Sequence, residues 1–213
     1  MSNTGASVLQ RRRNGEATRR RVMDAVVETV VDVGYYKASS NQIARRAGVT
    51  WGAIQHLFGS REQMMLAVAR DIQERFHQQV AAAQIDDGSL EERLDQLIDV
   101  LAEHYEAPEF LVEVQILLDL SVNPGLSIAA RDELRRSAIE DFTRTARPLL
   151  AQTIGAAAAE SDLADFALAT LVGHLESQQI TRLASEPPTR SDNRPMLVRA
   201  VASFLREEMA HRG

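Results

Sequence analysis

The chain has 213 residues and a hydrophobic fraction of 45%, which is enough to bury a core without disulfides or metal ions. It contains no cysteine, which excludes disulfide frameworks, Cys-ligated zinc and thiol catalysis, and is typical of a cytoplasmic protein. The net charge is −6, but residues 1–62 carry ten basic and five acidic side chains. A basic amino-terminal segment favours phosphate binding at that end, although an ordinary solvated surface explains the charge equally well.

The first thirteen residues lack a hydrophobic period, so we expect a disordered basic arm over 1–13. From there on the pattern is helical, with no convincing strand alternation, and it predicts an all-α fold. Apolar residues at helical spacing between Val22 and Val33 predict one buried stripe, which Gly34 should terminate. Three capping-box signatures predict helix starts, at Ser39-x-x-Gln42, Ser60-x-x-Gln63 and Ser89-x-x-Glu92.

Further helices are predicted at about 109–121, 127–153, 161–185 and 195–210. Turn residues at 123–125 and 186–188 should separate them, and Pro148 should kink or split the helix that contains it. The most apolar stretch, Phe110–Leu120, is interrupted by charged side chains and is too short to cross a bilayer, so we expect no membrane association.

Residues 39–58 carry the clearest functional signal. A short helix should end before Gly48, where glycine permits a tight turn, and Thr50 should cap a second short helix that points Ile54, Leu57 and Phe58 inward. This pattern predicts a helix-turn-helix, whose second helix enters the major groove of DNA with its first residues facing the bases. The residues expected at the DNA interface are Lys37, Ser39, Ser40, Arg45, Thr50, Trp51, Gly52, Ala53, Gln55, His56 and Arg61.

Two of these assignments have competing interpretations. Arg45 is equally well explained as solvated surface. Trp51 is the only tryptophan and would ordinarily pack in a core, but its place between a helix cap and Gly52 favours partial exposure. An exposed ring there would contact a thymine methyl group or a sugar.

Residues 16–70 resemble the amino-terminal domain of the tetracycline-repressor-like (TetR) family of bacterial regulators. The resemblance rests on Gly34-Tyr35, Ile43-Ala44, Ala47-Gly48-Val49-Thr50, Gly52, Ile54, Phe58 and Ser60-Arg61-Glu62. It implies a helix-turn-helix DNA-binding domain over 14–60 and a helical effector-binding and dimerisation domain over 61–213. It also implies a repressor that a small-molecule effector releases from a palindromic operator. Aromatic residues make up only 5% of the chain, so we expect aliphatic side chains to line any cavity, which would suit a hydrophobic effector. The family usually has Tyr at the position of Gln55 and His or Tyr at that of Leu57, so a phosphate contact is in doubt here.

The acidic body offers candidates for an effector pocket and for a homodimer interface. Pocket candidates between the middle helices are Phe76, Leu101, His104, Tyr105, Phe110, Val114, Leu118, Phe142 and His174. Interface candidates on the last two helices are Phe166, Thr170, Gln178, Leu197, Val201, Phe204 and Leu205. Ordinary core packing is the competing interpretation of both sets, and for each pocket candidate it is the more probable one.

Two other functions compete with a ligand-controlled repressor. One is a DNA-binding regulator or architectural protein without a small-molecule ligand, controlled by a protein partner. The other is an enzyme, but the sequence has no phosphate-binding glycine loop, no GxSxG and no HExxH. The five histidines lack the paired spacing of metal ligands. We therefore predict no catalytic residues, no metal site and no cofactor.

Overall fold

A computed structural model describes residues 3–122, 142–184 and 193–212. Within these ranges all regular structure is helical, which confirms the predicted all-α class. The helices, in chain order, are α1 (Asn3–Val33), α2 (Ser40–Arg46), α3 (Trp51–Phe58), α4 (Arg61–Ala82), α5 (Leu90–Tyr105), α6 (Pro108–Val122), α7 (Phe142–Ile154), α8 (Ala156–Ala159), α9 (Asp162–Ala184) and α10 (Arg194–Arg212).

Helix α1 is longer than the sequence predicted. It begins at Asn3, so residues 3–13 are helical rather than the expected disordered arm. The segment contains Ala, Leu, Gln and Arg, which are favourable helix formers and extend the amphipathic helix that follows. Gly34, at φ 81°, follows the last helical residue and confirms the predicted stop.

The predicted helix starts agree with the capping geometry. At Ser39 the hydroxyl accepts a hydrogen bond from the Gln42 N–H, and the Gln42 side chain accepts one from the Ser39 N–H, which completes a capping box. Ser89 and Glu92 form the same reciprocal pair at the start of α5. At Ser60 the hydroxyl accepts a hydrogen bond from the Gln63 N–H, at 3.2 Å.

The chain divides into two compact units. The first comprises Met1–Gln73 and Pro108–Arg131. Its described core includes Val22, Val26, Ile43, Ile54, Met64, Ile116 and Leu120. This division differs from the boundary expected after residue 60, because α6 packs against α1 and the first part of α4 also belongs to this unit. Periodicity along the chain shows which face of α6 is apolar but not which helix it packs against.

The second unit comprises Glu74–Ala107 and Asp132–Gly213. Its described core includes Leu94, Leu97, Ile98, Leu101, Leu149, Leu150, Leu171 and Leu205. Helix α10 packs on α5, and Arg194 at its start donates hydrogen bonds to the carboxylates of Asp95 and Asp99, each at 2.6 Å. Two carboxylates one helical turn apart therefore fix the position of one arginine.

The segments around Pro148 were only partly predictable. Helix α7 continues on both sides of Pro148, so the predicted split does not occur, and Gly155 separates α7 from the unpredicted short helix α8. Residues 127–141 of the predicted 127–153 helix and the turns at 123–125 and 186–188 lie outside the described residues. None of the helices in the described ranges is long and apolar enough to cross a membrane.

Candidate nucleic-acid interface

Helices α2 and α3 are joined by a four-residue corner, 47–50. Gly48 lies at φ 66°, in the left-handed region that the turn requires, and the Val49 N–H donates to the Ala44 carbonyl at 3.0 Å. Thr50 caps α3 by accepting a hydrogen bond from the Ala53 N–H at 3.2 Å, as its sequence position predicted. Both helices contact α1 and each other, so the three form one helix-turn-helix core.

Helix α3 buries Ile54 and Phe58 and exposes its other face. Ile54 is completely buried, whereas Gly52, Gln55 and His56 are exposed. Trp51 and Ala53 are half-buried, and Trp51 thus has the partial exposure that its position between a cap and a glycine favoured. The exposed face presents one amide, one imidazole, one indole and an accessible backbone at Gly52, which are groups able to contact bases and sugar-phosphate.

The candidate phosphate contacts before α3 lie on the loop into α2 and on α2 itself. Lys37 and Ser39 are exposed on that loop, Ser40 is half-buried at the first position of α2, and Arg45 is exposed near its end. Because the Ser39 hydroxyl accepts a hydrogen bond from Gln42, any contact it makes to a phosphate would be additional to its capping role.

Arg61 and Arg46 have partners within the chain. The Arg61 guanidinium donates to the Ala38 carbonyl at 2.9 Å, and its Cζ lies 5.5 Å from the centre of the Tyr35 ring. Arg61 thus has a structural role at the α1–α2 loop, and any phosphate contact would use its remaining N–H groups. Arg46 forms ion pairs with Asp32 and Glu28 on α1.

Sequence reasoning missed Arg19. Its Cζ lies 4.3 Å from the centre of the Phe58 ring, and its Nη1 donates to the Leu57 carbonyl at 3.3 Å, at the last turn of α3. The available signal was periodicity: Arg19 precedes Val22 by three residues and Val26 by seven, so it lies on the buried stripe of α1. An arginine on that stripe, beside an aromatic residue, stabilises a helix end by stacking and by hydrogen bonding.

Six of the nine effector-pocket candidates lie in the second unit, and four of these form one aromatic cluster. The Phe76 ring stacks on His104 with centroids 4.0 Å apart and on Phe142 at 5.0 Å, and Tyr105 meets it edge-on at 5.7 Å. Leu101 lies on α5 with His104 and Tyr105 and is completely buried. His174 lies on α9 and contacts Gln178 of the same helix. Phe76 thus contacts each of the other three rings, as in a packed core.

The other three pocket candidates lie on α6, in the first unit. Phe110 is buried and Val114 is half-buried, but Leu118 is 63% exposed, so it cannot line an enclosed pocket as expected. The six and the three belong to different compact units. The amphipathic pattern misplaced Leu118 because the buried stripe of α6 runs through Val112, Ile116 and Leu120 instead.

The interface candidates on α9 and α10 separate into two groups. Val201 and Leu205 are buried within the single chain, so they belong to its core and not to a surface. Phe166 and Phe204 are 44% and 37% exposed, and their ring centroids lie 4.4 Å apart. Thr170, Gln178 and Leu197 are half-buried. The exposed apolar side chains Ile180 and Met196 lie on the same two helices.

The pKa of the Tyr35 phenol is raised well above its usual value, because the ring is buried and its hydroxyl donates to Asp119. Among the described residues no group of three or more histidine or acidic side chains is arranged to hold a metal ion. Among the described residues, the exposed face of α3 and the loop before α2 form the candidate nucleic-acid site.

A comparison with protein families matches residues 22–68 to the amino-terminal domain of bacterial regulatory proteins of the tetR family. Over 83 residues the chain is 37% identical to the HTH-type transcriptional regulator BetI of Escherichia coli O17:K52:H18. That match covers 38% of this chain and 43% of BetI, so less than half of the relative's length is matched. The family match over residues 22–68 contains α2, the corner at 47–50 and α3.

Similarity to solved structures extends over most of the chain. A transcriptional regulator from Rhodococcus sp. Rha1 superposes with a TM-score of 0.65 at 19% identity, covering 89% of this chain and 96% of the other. The multidrug binding protein EbrR, solved with imidazole, gives a TM-score of 0.56 at 22% identity and covers 88% of this chain and 93% of its own. At these identities the comparison shows a common fold.

Proposed function

This chain belongs to the TetR family of bacterial regulatory proteins, and from that premise we propose that it is a cytoplasmic transcriptional repressor. In this proposal it binds a palindromic operator as a homodimer, and a small-molecule effector releases it. The observation that carries the proposal is the exposed face of α3, where Gly52, Gln55 and His56 lie on a short helix that α1 and α2 support from behind.

The residues divide into two kinds of DNA contact. Gln55 is an exposed amide on the recognition helix, and an amide pairs with the N6 and N7 edge of adenine in the major groove. The other contacts are to phosphates, which set the register of the protein on DNA. They come from the loop before α2, from α2 itself and from the cap of α3: Lys37, Ser39, Ser40, Arg45 and Thr50. His56 supplies a second polar group beside Gln55.

The apolar surface of α9 and α10 supports the homodimer part of the proposal. Phe166 and Phe204 are large, partly exposed rings in contact with each other, and Ile180 and Met196 are 63% and 66% exposed. A two-fold axis through such a surface would bring identical apolar faces together and present two recognition helices to a symmetric site.

The effector part of the proposal is supported by the related fold, since EbrR is described as a multidrug binding protein. Within this chain the aromatic cluster of Phe76, His104, Tyr105 and Phe142 is the site we assign to a small apolar or aromatic ligand. The contact of these rings with one another supports a second candidate, a regulator controlled by a protein partner, because a ligand would have to displace one ring.

The test is to select bound sequences from random duplex DNA with the full-length protein. We expect enrichment of one two-fold symmetric sequence, with half-sites separated by about one helical turn or a multiple of it. Compounds that release the protein from that sequence are then sought in a small-molecule library. Selection that enriches no sequence would overturn the regulator assignment, whereas an enriched operator that only a protein fraction releases would favour the second candidate.

A further inference from the structure

Tyr35 connects the helix-turn-helix to a helix far away in sequence. It follows Gly34, which ends α1, and it precedes by four residues the Ser39 cap of α2. Its hydroxyl donates to Asp119 Oδ2 at 2.7 Å, and its backbone N–H donates to Gln115 Oε1 at 3.2 Å. Both acceptors lie on α6, one turn apart, so side chain and main chain of the same residue are fastened to one helix.

The opposite side of this loop is fastened to α4. Arg61, the first residue of α4, donates to the Ala38 carbonyl at 2.9 Å and more weakly to the Tyr35 carbonyl at 3.5 Å. The segment 34–39, which we call the α2 approach loop, is thus held from two directions. Its conformation determines where Ser39 starts α2, and through the short corner at 47–50 it determines where α3 lies.

The hydrogen bond between the Tyr35 hydroxyl and Asp119 is partly buried and charge-assisted. Tyr35 is only 5% exposed, while the next residue, Tyr36, is 88% exposed, so two adjacent tyrosines have opposite environments. A phenol hydroxyl that donates to a carboxylate forms a charge-assisted hydrogen bond, which is stronger than a bond between neutral groups. The buried phenol keeps its proton, since burial raises its pKa, and therefore remains a donor.

We propose that Tyr35 is a positioning residue for DNA recognition. Its two hydrogen bonds to α6 hold the α2 approach loop in the conformation in which α3 can enter the major groove. The inference rests on the proposed DNA-binding function. Without these bonds the loop samples other conformations, and the apparent dissociation constant rises in inverse proportion to the competent fraction. Position, and not a contact to DNA, is what Tyr35 supplies.

The experiment compares Tyr35→Phe, which removes only the hydroxyl, with the matched control Tyr36→Phe, on the operator selected by the wild-type protein. We expect Tyr35→Phe to weaken operator binding about tenfold, the equivalent of one charge-assisted hydrogen bond, and Tyr36→Phe to change it by less than about twofold. The dependence of affinity on salt should be the same in all three proteins, because no phosphate contact is lost.

A second pair of variants tests the partner on α6. Asp119→Asn keeps an acceptor oxygen and should retain most of the affinity, whereas Asp119→Leu should match Tyr35→Phe. Combining Asp119→Leu with Tyr35→Phe should add less than about twofold, because the two side chains form one interaction. This comparison also covers the case in which Tyr35→Phe fails to fold.

Hydrogen exchange on the free, folded protein separates this inference from the proposed function. Amide exchange in 35–39 should be faster in Tyr35→Phe than in the wild-type protein and unchanged in Tyr36→Phe. Unchanged exchange, or an operator affinity within about twofold of the wild-type protein, overturns the positioning role. A shallower salt dependence would overturn it too, by identifying a lost phosphate contact. Failure of the wild-type protein to select any DNA overturns the proposed function instead.

Discussion

Arg19 and Phe58 join the first helix of the DNA-binding domain to the end of the recognition helix. The Arg19 guanidinium lies over the Phe58 ring with Cζ 4.3 Å from its centre, and it also donates to the Leu57 carbonyl at 3.3 Å. A cation over a buried ring combines charge–quadrupole attraction with packing of the arginine stem. Because Leu57 and Phe58 are the last residues of α3, this contact stabilises the carboxyl end of that helix.

We therefore expect Arg19→Gln to lower the free energy of unfolding by about 1 kcal/mol, the sum of a cation–π contact and a hydrogen bond to a helix end. Urea denaturation measures the change. Arg21→Gln is the control, because Arg21 is exposed on the same helix and its guanidinium donates to the Thr18 hydroxyl within α1. Equal stability of Arg19→Gln and Arg21→Gln would show that the stacking contributes nothing.

Gly52 tests the placement of α3 against DNA. It is exposed, and a Cβ added there would lie 3.9 Å from the Thr50 hydroxyl, so a side chain fits without moving the backbone. Gly52→Glu should keep the fold and weaken operator binding by at least about a hundredfold, since a carboxylate would face the phosphates. Gly52→Gln adds a side chain of the same size without the charge, so it should lose much less operator affinity. Mobility-shift titration measures both, and full binding by Gly52→Glu would exclude α3 as the recognition helix.

The arginines at 11, 12 and 13 precede the buried part of α1. Replacing all three with glutamine keeps good helix formers and removes three charges. We expect weaker binding at low salt and a decrease of about 1–2 in the slope of log affinity against log salt, with the preferred sequence unchanged. Arg199→Gln, on the exposed surface of α10, provides the control. An unaltered slope would show that the basic segment does not contact DNA.

Phe204 tests the dimer. Phe204→Glu should convert the protein to a monomer, because it places a carboxylate in the exposed Phe166–Phe204 pair, whose centroids are 4.4 Å apart. Light scattering after size exclusion measures the mass. Ser203→Glu adds the same charge to the neighbouring exposed position and should remain dimeric. If the wild-type protein itself were monomeric, the palindromic operator would lose its structural basis.

Glu176 makes stability depend on pH. Its half-buried carboxyl has a pKa raised above the usual 4.5 by burial, so the charged form destabilises the folded state. The stability that the protonated Glu176 carboxyl contributes is fully present below pH 4.5. It is lost as the pH rises through the raised pKa. Glu176→Gln should therefore increase Tm by about 1–2 °C near neutral pH, and the difference should vanish near pH 4. The control is Asp87→Asn, in the exposed loop before α5. Its Tm should differ from that of the wild-type protein by the same small amount at both pH values.

Local signals predicted the DNA-binding helices well. The Ser39–Gln42 box, the Gly48 turn and the Thr50 cap each involve residues within five positions of one another, so they can be recognised in the local sequence. The exposed face of α3 followed from the same information, because burying Ile54 and Phe58 determines which side chains remain outside.

Contacts between distant segments were not predictable in the same way. Tyr35 and Asp119 are 84 residues apart, and no periodicity pairs them. Arg61 was assigned to DNA from its position at a helix start, and no local pattern indicates that it also donates to two carbonyls of the α2 approach loop. Val201 and Leu205 were assigned to the dimer surface, because an apolar stripe does not reveal whether its own chain or a second copy covers it.

The corner between α2 and α3 also has a stereochemical consequence. Gly48 lies at φ 66°, but a Cβ built on it would meet no heavy atom within 4 Å. The corner thus requires a residue of the opposite handedness and not a small one. An L-alanine there is opposed by its own backbone at a cost of about 1–2 kcal/mol, whereas its mirror image, D-alanine, would fit without strain. Chirality, and not size, therefore restricts this position to glycine, because glycine is the only amino acid used by the ribosome that has no chiral Cα.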